Sequence, residues 1–322
     1  MAHPLCRRGA EGTTSTKESV VIEIQRTLDV LRGDVDGPSL VIVAGIHGNE
    51  PAGIEAAKSV LQTLRARGVA VCGELTVLCG NVRALRQQRR FLDRDLNRAW
   101  TTEGTERVLS SSIDSLEHED LEHRELHDAI TSAASRARGP LFLADCHTSS
   151  AAGVPFILYG SSDEQRAFVS AFPIPVISGI VEQVDGVLSE YTRRLGFIAF
   201  SVEGGQHDEA EARTALNCII WLCLHKAGMI DEIDEVTSAR AQLQAMQQDL
   251  PRTVEVISRH AITADDEFVM ERGFRNVDRI KKGQLLAHDK RGEVRAETDG
   301  VVVLPLYQKL GSDGFFWGRE LT

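Results

Sequence analysis

The sequence lacks the features that mark membrane, secreted or nucleic-acid-binding proteins. Its longest apolar runs, near residues 39–46 and 217–224, are too short to span a bilayer. The N-terminal stretch 1–19 has no apolar core typical of a secretory signal, and its polarity predicts a flexible tail. The net charge of −11 argues against a nucleic-acid partner, which would require phosphate neutralisation by basic residues.

The sequence has only six cysteines, and none of them belongs to a Cys-x-x-Cys motif. Most of them lie inside apolar runs, where a free cysteine behaves as a small hydrophobic side chain. We therefore interpret them as reduced core residues of a cytoplasmic protein. The 322 residues suffice for one large domain, or for a medium domain with a small partner.

Alternation of predicted strands and helices indicates an α/β fold with a mixed, mainly parallel central sheet flanked by helices. The continuous apolar run SLVIVAGI is typical of a strand that is buried on both faces. Strands are predicted at 20–24, 39–46, 74–81, 141–147, 155–159, 173–178 and 196–203, and helices at 54–67, 120–137, 163–171, 186–195 and 208–228.

The pattern changes after about residue 230. Residues 20–230 carry the strand–helix alternation and are expected to form the main domain. Residues 231–250 have the pattern of a polar helix or linker. From residue 251, short runs separated by turn residues predict a small all-β domain over 251–322.

Three predicted strands end at residues that could bind a metal ion. One is followed by His47, with Glu50 three residues later, another ends at His147, and a third ends at Glu203. In an open α/β sheet, ligands bind beyond the carboxyl ends of the strands. Two imidazoles and one carboxylate suit catalytic zinc, which keeps a fourth position for water. Glu203 is then the candidate general base for that water.

Each of these residues also has a structural explanation. A His-x-x-Glu pair is a weak signal alone, His147 could bond a neighbouring loop, and Glu203 could cap a helix. Asp145 could be an ordinary buried partner, or it could orient a ligand imidazole. The metal site is favoured because four candidate residues lie at the strand ends of one predicted sheet, namely His47, Glu50, His147 and Glu203.

The segment 83–98 is basic in an acidic chain, with six arginines against two aspartates. A solvated, salt-bridged surface explains Arg83 and Arg86. At the end of the segment, Asn97 beside Arg98 offers an amide and a planar guanidinium, which suit recognition of a carboxylate.

Five motifs together resemble the succinylglutamate desuccinylase and aspartoacylase family, which belongs to the zinc carboxypeptidase-like superfamily. They are GIHGNEPAG, GNVRA, RRFLDRDLNRAW, ADCHTS and SVEGGQH, in the expected order between residues 45 and 207. The segment 251–322 is also similar to the smaller β domain of this family, which would cap the active site.

The resemblance implies a zinc-dependent deacylase that acts on a small anionic N-acyl amino acid, with one Zn²⁺ per chain. It implies that His47, Glu50 and His147 bind the zinc and that Glu203 is general base and acid.

The resemblance also implies residues that bind the substrate. Asn97 and Arg98 would hold a substrate carboxylate, and Arg90 would polarise the scissile carbonyl. Arg193 stands where some members place a further substrate arginine. A tyrosine of the β domain closes the pocket in some relatives, and Tyr307, the only tyrosine of the predicted β domain, would be its counterpart here.

Two other functions remain open from the sequence. A zinc carboxypeptidase for short peptides would use the same carboxylate clamp and glutamate base, although a capping β domain argues against it. A non-catalytic small-molecule-binding relative would keep the fold without turnover. The identities of the acyl group and the amine are open, and so is the oligomeric state, for which a homodimer is the candidate.

Overall fold

The computed structural model describes residues 24–247 and 249–321. The tail predicted over 1–19 lies outside the described residues, as does the strand predicted over 20–24 except for its last residue. Among the described residues, no helix is both long and apolar enough to cross a membrane.

Strands and helices alternate through the first three quarters of the described chain, and short strands follow. The strand–helix part contains β1 (Thr27–Arg32), β2 (Val35–Ala44), α1 (Ala52–Arg67), β3 (Cys72–Cys79), α2 (Val82–Gln87), α3 (Thr102–Ser110), α4 (His118–Arg136), β4 (Leu141–Ser149), β5 (Phe156–Leu158), α5 (Asp163–Val169), β6 (Val176–Ser178), α6 (Leu188–Arg194), β7 (Ile198–Gln206), α7 (Ala210–Lys226) and α8 (Asp234–Gln247). The later strands are β8 (Thr253–Ala261), β9 (Val269–Met270), β10 (Arg279–Ile280), β11 (Leu285–Asp289), β12 (Gly292–Arg295), β13 (Gly300–Val303) and β14 (Asp313–Glu320).

Within the described ranges, one sheet of eleven strands runs in the order β1-β3-β2-β4-β7-β5-β6-β8-β14-β13-β10. The strands β3, β2, β4 and β7 at its centre are parallel to one another. A small antiparallel sheet, β12-β11-β9, lies in the C-terminal part. These features confirm the predicted α/β fold with a mainly parallel central sheet and a C-terminal β region.

The strand β2 is apolar throughout its second half because helices cover both of its faces. Leu40 and Ile42 pack in a core with residues of α1 and α7, whereas Val41 and Val43 pack with residues of α4. Successive side chains of a strand point to opposite faces. A strand covered on both faces therefore reads as a continuous apolar run rather than an alternating one.

The later strands extend the central sheet, since β8 pairs in parallel with β6. The helix α8 precedes them and packs on α7, with Val236, Ala239 and Leu243 buried. Residues 231–250 therefore include a packed helix, and the sheet crosses the boundary predicted at residue 251. The division into a main domain and a β domain stays a prediction.

Candidate active site

The carboxyl ends of β2, β4 and β7 bring the predicted ligands to one edge of the sheet. The strand β4 lies between the other two and is parallel to both. His147 on β4 is directly in register with Glu203 on β7. His47 lies in the turn that follows β2. Neighbouring parallel strands thus place residues from three distant parts of the sequence side by side.

Glycines let the turn after β2 pack closely. Gly45 has φ +70°, a conformation that favours glycine. A Cβ atom on Gly48 would overlap the backbone of Ala84. The backbone of this turn is further held by a hydrogen bond from Gly48 N to Arg90 O at 3.1 Å. This packing fixes the position of the intervening His47.

The side chains of His47, Glu50 and His147 form a buried cluster whose possible ligand atoms all lie within 4.8 Å of one another. Glu50 Oε1 is 2.8 Å from His47 Nδ1, and Glu50 Oε2 is 3.3 Å from His147 Nδ1. Thr148 N also donates to Glu50 Oε2 at 3.0 Å. The cluster could bind a metal ion.

Two aspartates lie behind the imidazoles of this cluster. Asp95 Oδ1 is 3.0 Å from His47 Nε2, and Asp145 Oδ2 is 2.9 Å from His147 Nε2. A carboxylate on the outer nitrogen fixes the ring and leaves the other nitrogen for a metal. Here both Nδ1 atoms face Glu50, so the donor set fits a divalent cation with two imidazole ligands and one carboxylate.

The electrostatics of the cluster agree with a site for a cation. Burial disfavours the charged form of Glu50, but the charges and hydrogen bonds of His47 and His147 outweigh it and hold its pKa well below the usual range. Burial likewise opposes protonation of His147, yet Asp145 and Glu50 hold its pKa well above the usual range. The carboxylates thus stabilise positive charge at this point, which protons or a metal ion can supply.

Glu203 is buried beside this cluster and has an unusual environment. Its Oε2 atom has no hydrogen-bond partner among the described residues. Burial raises the pKa of Glu203 to about 7; the charge of Glu50 adds to the rise, and the charge of His147 opposes it. A carboxyl group of this kind can accept and release a proton near neutral pH.

The metal cluster and Glu203 line one cavity, and the basic segment contributes three further predicted residues to its lining. Arg90 contacts Glu50 Oε1 at 3.4 Å and Asp95 Oδ2 at 3.0 Å. Asn97 is fixed by a hydrogen bond that Leu188 N donates to its Oδ1 at 2.9 Å. Arg98 lines the cavity together with these two residues.

Arg193 and Tyr307, which were predicted to contact the substrate, are not among the residues that line this cavity. Arg193 pairs with Glu190 of its own helix at 2.8 Å. The Tyr307 hydroxyl donates to Glu271 O at 2.7 Å and accepts from Phe274 N at 3.0 Å. Both side chains therefore have partners that are not among the cavity-lining residues.

Asp95 and Asp313 also line the cavity, and Arg259 contacts Asp313, although the sequence patterns indicated no role for these three residues. Asp95 lies two residues before Asn97, so its place within the FLDRDLNR motif was an available signal. Asp313 Oδ2 accepts a 2.6 Å hydrogen bond from Arg98, and its other oxygen accepts from Arg259. No local pattern links these residues, because Asp313 lies 215 positions after Arg98.

Comparison with known proteins places the chain in a family. Residues 36–218, more than half of the chain, match the model of the succinylglutamate desuccinylase/aspartoacylase catalytic domain. A succinylglutamate desuccinylase of Pseudoalteromonas atlantica is 26% identical over 283 residues, which cover 83% of this chain and 76% of the relative. One of Photorhabdus laumondii is 47% identical over 60 residues, 19% of this chain and 18% of the relative.

Solved structures share the fold. A succinylglutamate desuccinylase/aspartoacylase from Rhodobacter sphaeroides has a TM-score of 0.67 at 16% identity, covering 91% of this chain and 88% of that chain. The product-bound ectoine utilization protein EutE from Ruegeria pomeroyi has a TM-score of 0.63 at 18% identity, covering 90% and 87%. As its motifs predicted, the chain belongs to the succinylglutamate desuccinylase/aspartoacylase family.

Proposed function

We propose that the protein is a zinc-dependent deacylase that hydrolyses the amide bond of a small, carboxylate-bearing N-acyl amino acid. The family match and the relatives named as desuccinylases support a deacylase. The observation that carries the proposal is the buried Glu203 carboxyl, which has a free oxygen among the described residues and lines the same cavity as the cluster of His47, Glu50 and His147. A buried carboxyl with a perturbed pKa in a cleft is typical of acid–base catalysis.

His47, Glu50 and His147 would hold the zinc ion, because two imidazoles and one carboxylate are a common donor set of catalytic zinc. When bound there, zinc supplies Lewis-acid activation of water and of the amide carbonyl at neutral pH. Asp95 and Asp145 keep the two imidazoles in the orientation that binding requires.

Glu203 moves the proton in this proposal. Its carboxylate accepts a proton from the attacking water, whose oxygen adds to the carbonyl carbon. The carbon–nitrogen bond then breaks, and Glu203 delivers the proton to the leaving nitrogen. The products are a carboxylic acid and an amine. Arg90 donates to the oxygen on which negative charge develops, and Asn97 and Arg98 orient the substrate through a carboxylate.

The C-terminal strands favour a small-molecule deacylase over a carboxypeptidase. They and the loop between β13 and β14 contribute Leu304, Leu306, Asp313 and Phe316 to the cavity lining. The cavity is therefore walled on this side, which restricts entry of a peptide chain.

A variant of Glu203 tests the proposal. We expect Glu203→Gln to retain its metal and to lose turnover by about 10²- to 10⁴-fold, measured by metal analysis and by release of free amine from an N-acyl amino acid panel. Glu211→Gln, the same change at an exposed position of α7, is the matched control. Full activity of the metal-loaded Glu203→Gln protein removes Glu203 from the mechanism.

The same assay separates the other two functions. Preferential cleavage of di- and tripeptides identifies a carboxypeptidase, and a metal-loaded protein inactive on all amides and esters identifies a binding protein.

A cytoplasmic location is also proposed, supported by the five described cysteines, which are free and of which four are buried. The homodimer stays a prediction.

A further inference from the structure

The lining of the candidate active-site cavity has two chemically different parts. One part is the cluster of His47, Glu50 and His147 together with Glu203. Another part, here called the apolar wall, is formed by aliphatic and aromatic side chains. These are Ile180, Val181, Val184, Val187, Leu304 and Phe316.

Packing makes the apolar wall a preformed surface. Its members come from the segment after β6 and from the region of β13 and β14, yet they belong to one hydrophobic cluster. Ile180, Val184, Val187 and Phe316 are buried, and Val181 and Leu304 pack against them. Side chains that are held by their neighbours in this way keep their positions when a ligand enters.

The segment that carries part of the apolar wall contacts the backbone of Arg98. A Cβ atom on Gly186 would overlap the backbone of Arg98, so the segment that carries Val184 and Val187 touches this arginine. Trp100 N also donates to Gly186 O at 3.1 Å. Because Arg98 and the apolar wall line the same cavity, a substrate whose carboxylate binds Arg98 can place another part of its structure at the apolar wall.

The cavity holds little positive charge for a second carboxylate. Among the described lining residues, Arg90 and Arg98 are the only lysine or arginine side chains. Arg90 has two carboxylate partners, Glu50 and Asp95, whereas Arg98 has one, Asp313. Arg98 is therefore the guanidinium that remains for one substrate carboxylate, and no further one is left for a second. A second substrate carboxylate against the apolar wall would lose its water without gaining a counter-ion, which is strongly unfavourable.

We propose that this enzyme selects monocarboxylate substrates, namely N-acyl amino acids with one carboxylate for Arg98 and an uncharged, aliphatic or aromatic group for the apolar wall. The proposal rests on the deacylase function above and specifies its substrate class. Substrates with two or three carboxylates, such as succinylglutamate, are disfavoured because the apolar wall offers no counter-charge.

Two matched substrate pairs test the proposal, because either end of the substrate could meet the wall. N-acetyl-leucine is compared with N-acetyl-aspartate, and N-isovaleryl-glycine with N-succinyl-glycine. In at least one pair, we expect kcat/KM to be at least tenfold higher for the apolar member than for the charged member. In neither pair should the charged member be preferred. Preference for a charged member in either pair overturns the proposal and leaves the deacylase function standing.

Binding of the same four compounds to the Glu203→Gln protein, measured by calorimetry, tests the wall without turnover. Tighter binding of the apolar members with no hydrolysis by the unaltered protein overturns the deacylase function alone. Tighter binding of the charged members, or equal binding of all four, overturns the selection for monocarboxylates.

A charge placed on the wall gives a second test. Val181 is half-buried at the cavity, and Val181→Lys should shift the ratio of kcat/KM at least tenfold towards the charged member of a pair. Val269→Lys, at an exposed valine that is not among the cavity-lining residues, should leave the ratio unchanged. A folded Val181→Lys protein with an unaltered ratio contradicts the proposal.

Discussion

Asp95 Oδ1 lies 3.0 Å from His47 Nε2, so a carboxylate from the basic segment holds the imidazole that follows β2. The other oxygen of Asp95 accepts a 3.0 Å hydrogen bond from Arg90. The charges of His47, Arg90 and Arg98 outweigh burial and hold the pKa of Asp95 well below its usual range. Asp95 therefore couples the candidate metal cluster to the residues proposed to bind substrate.

Replacement of this carboxylate should weaken metal binding. We expect Asp95→Asn to lower zinc affinity about 10- to 100-fold, because the imidazole loses the partner that orients it. Competition with a chelator of known affinity measures the change. Asp93→Asn, which alters an exposed aspartate of the same segment, is the control, and equal affinities of the two variants would rule out this role.

Loss of the Arg98 guanidinium should affect substrate binding more than chemistry. Arg98→Ala is expected to raise KM about 10- to 100-fold with a smaller change in kcat, because a charge-assisted bond to the substrate is lost in ground and transition states alike. Steady-state kinetics with the best N-acyl amino acid gives both constants.

The matched variant for Arg98 is Arg193→Ala. Arg193 pairs with Glu190 on the surface of α6 and is not among the residues lining the cavity, so KM should stay within about twofold of the unaltered value. A large rise in KM for Arg193→Ala would restore its predicted contact with the substrate.

His123 should make stability depend on pH. Its ring packs 4.0 Å from that of Trp100, and burial, helped by nearby positive charges, lowers its pKa from about 6.5 to about 3. The unfolded chain therefore binds a proton on this histidine at a higher pH than the folded protein does. The contribution of neutral His123 is fully present above pH 6.5 and is lost as the pH falls towards 3.

Urea unfolding near pH 7 and pH 5 measures this effect. The unaltered protein should lose unfolding free energy when the pH falls from 7 to 5. In the His123→Gln protein this loss should be smaller by about 2 kcal/mol, since one pKa unit corresponds to about 1.4 kcal/mol. His288→Gln, at an exposed histidine, should keep the original pH dependence. Identical pH dependence in the His123→Gln protein would show that another group is responsible.

The turn after β2 should not tolerate a side chain at Gly48. Because a Cβ atom there overlaps the backbone of Ala84, Gly48→Ala should cost at least about 2 kcal/mol of unfolding free energy and weaken metal binding by displacing His47. Gly68→Ala tests a glycine with φ +60° and no neighbouring atom within 4 Å, so its cost should be about 1 kcal/mol without a change in metal affinity. Equal effects of the two variants would contradict this assignment.

The central strands could be predicted because their environment is uniform. Both faces of β2 are covered, and its sequence is accordingly a continuous apolar run. The strand β1 was missed because it lies at the edge of the sheet and is only half-buried, so TLDVLR carries no clear period. The pairing of β8 with β6 joins residues that are more than 70 positions apart, and no local pattern indicates it.

The sequence by itself determined the parts of the site that local geometry controls. His47 and Glu50 share one turn, and Asn97 adjoins Arg98, so each pair can be recognised within a short motif. Tertiary structure alone decided which partners these residues have. It paired Arg98 with Asp313, paired the Tyr307 hydroxyl with Glu271, and set an apolar wall in the same cavity as the candidate metal cluster. These contacts depend on strand order and packing, which no short stretch of residues encodes.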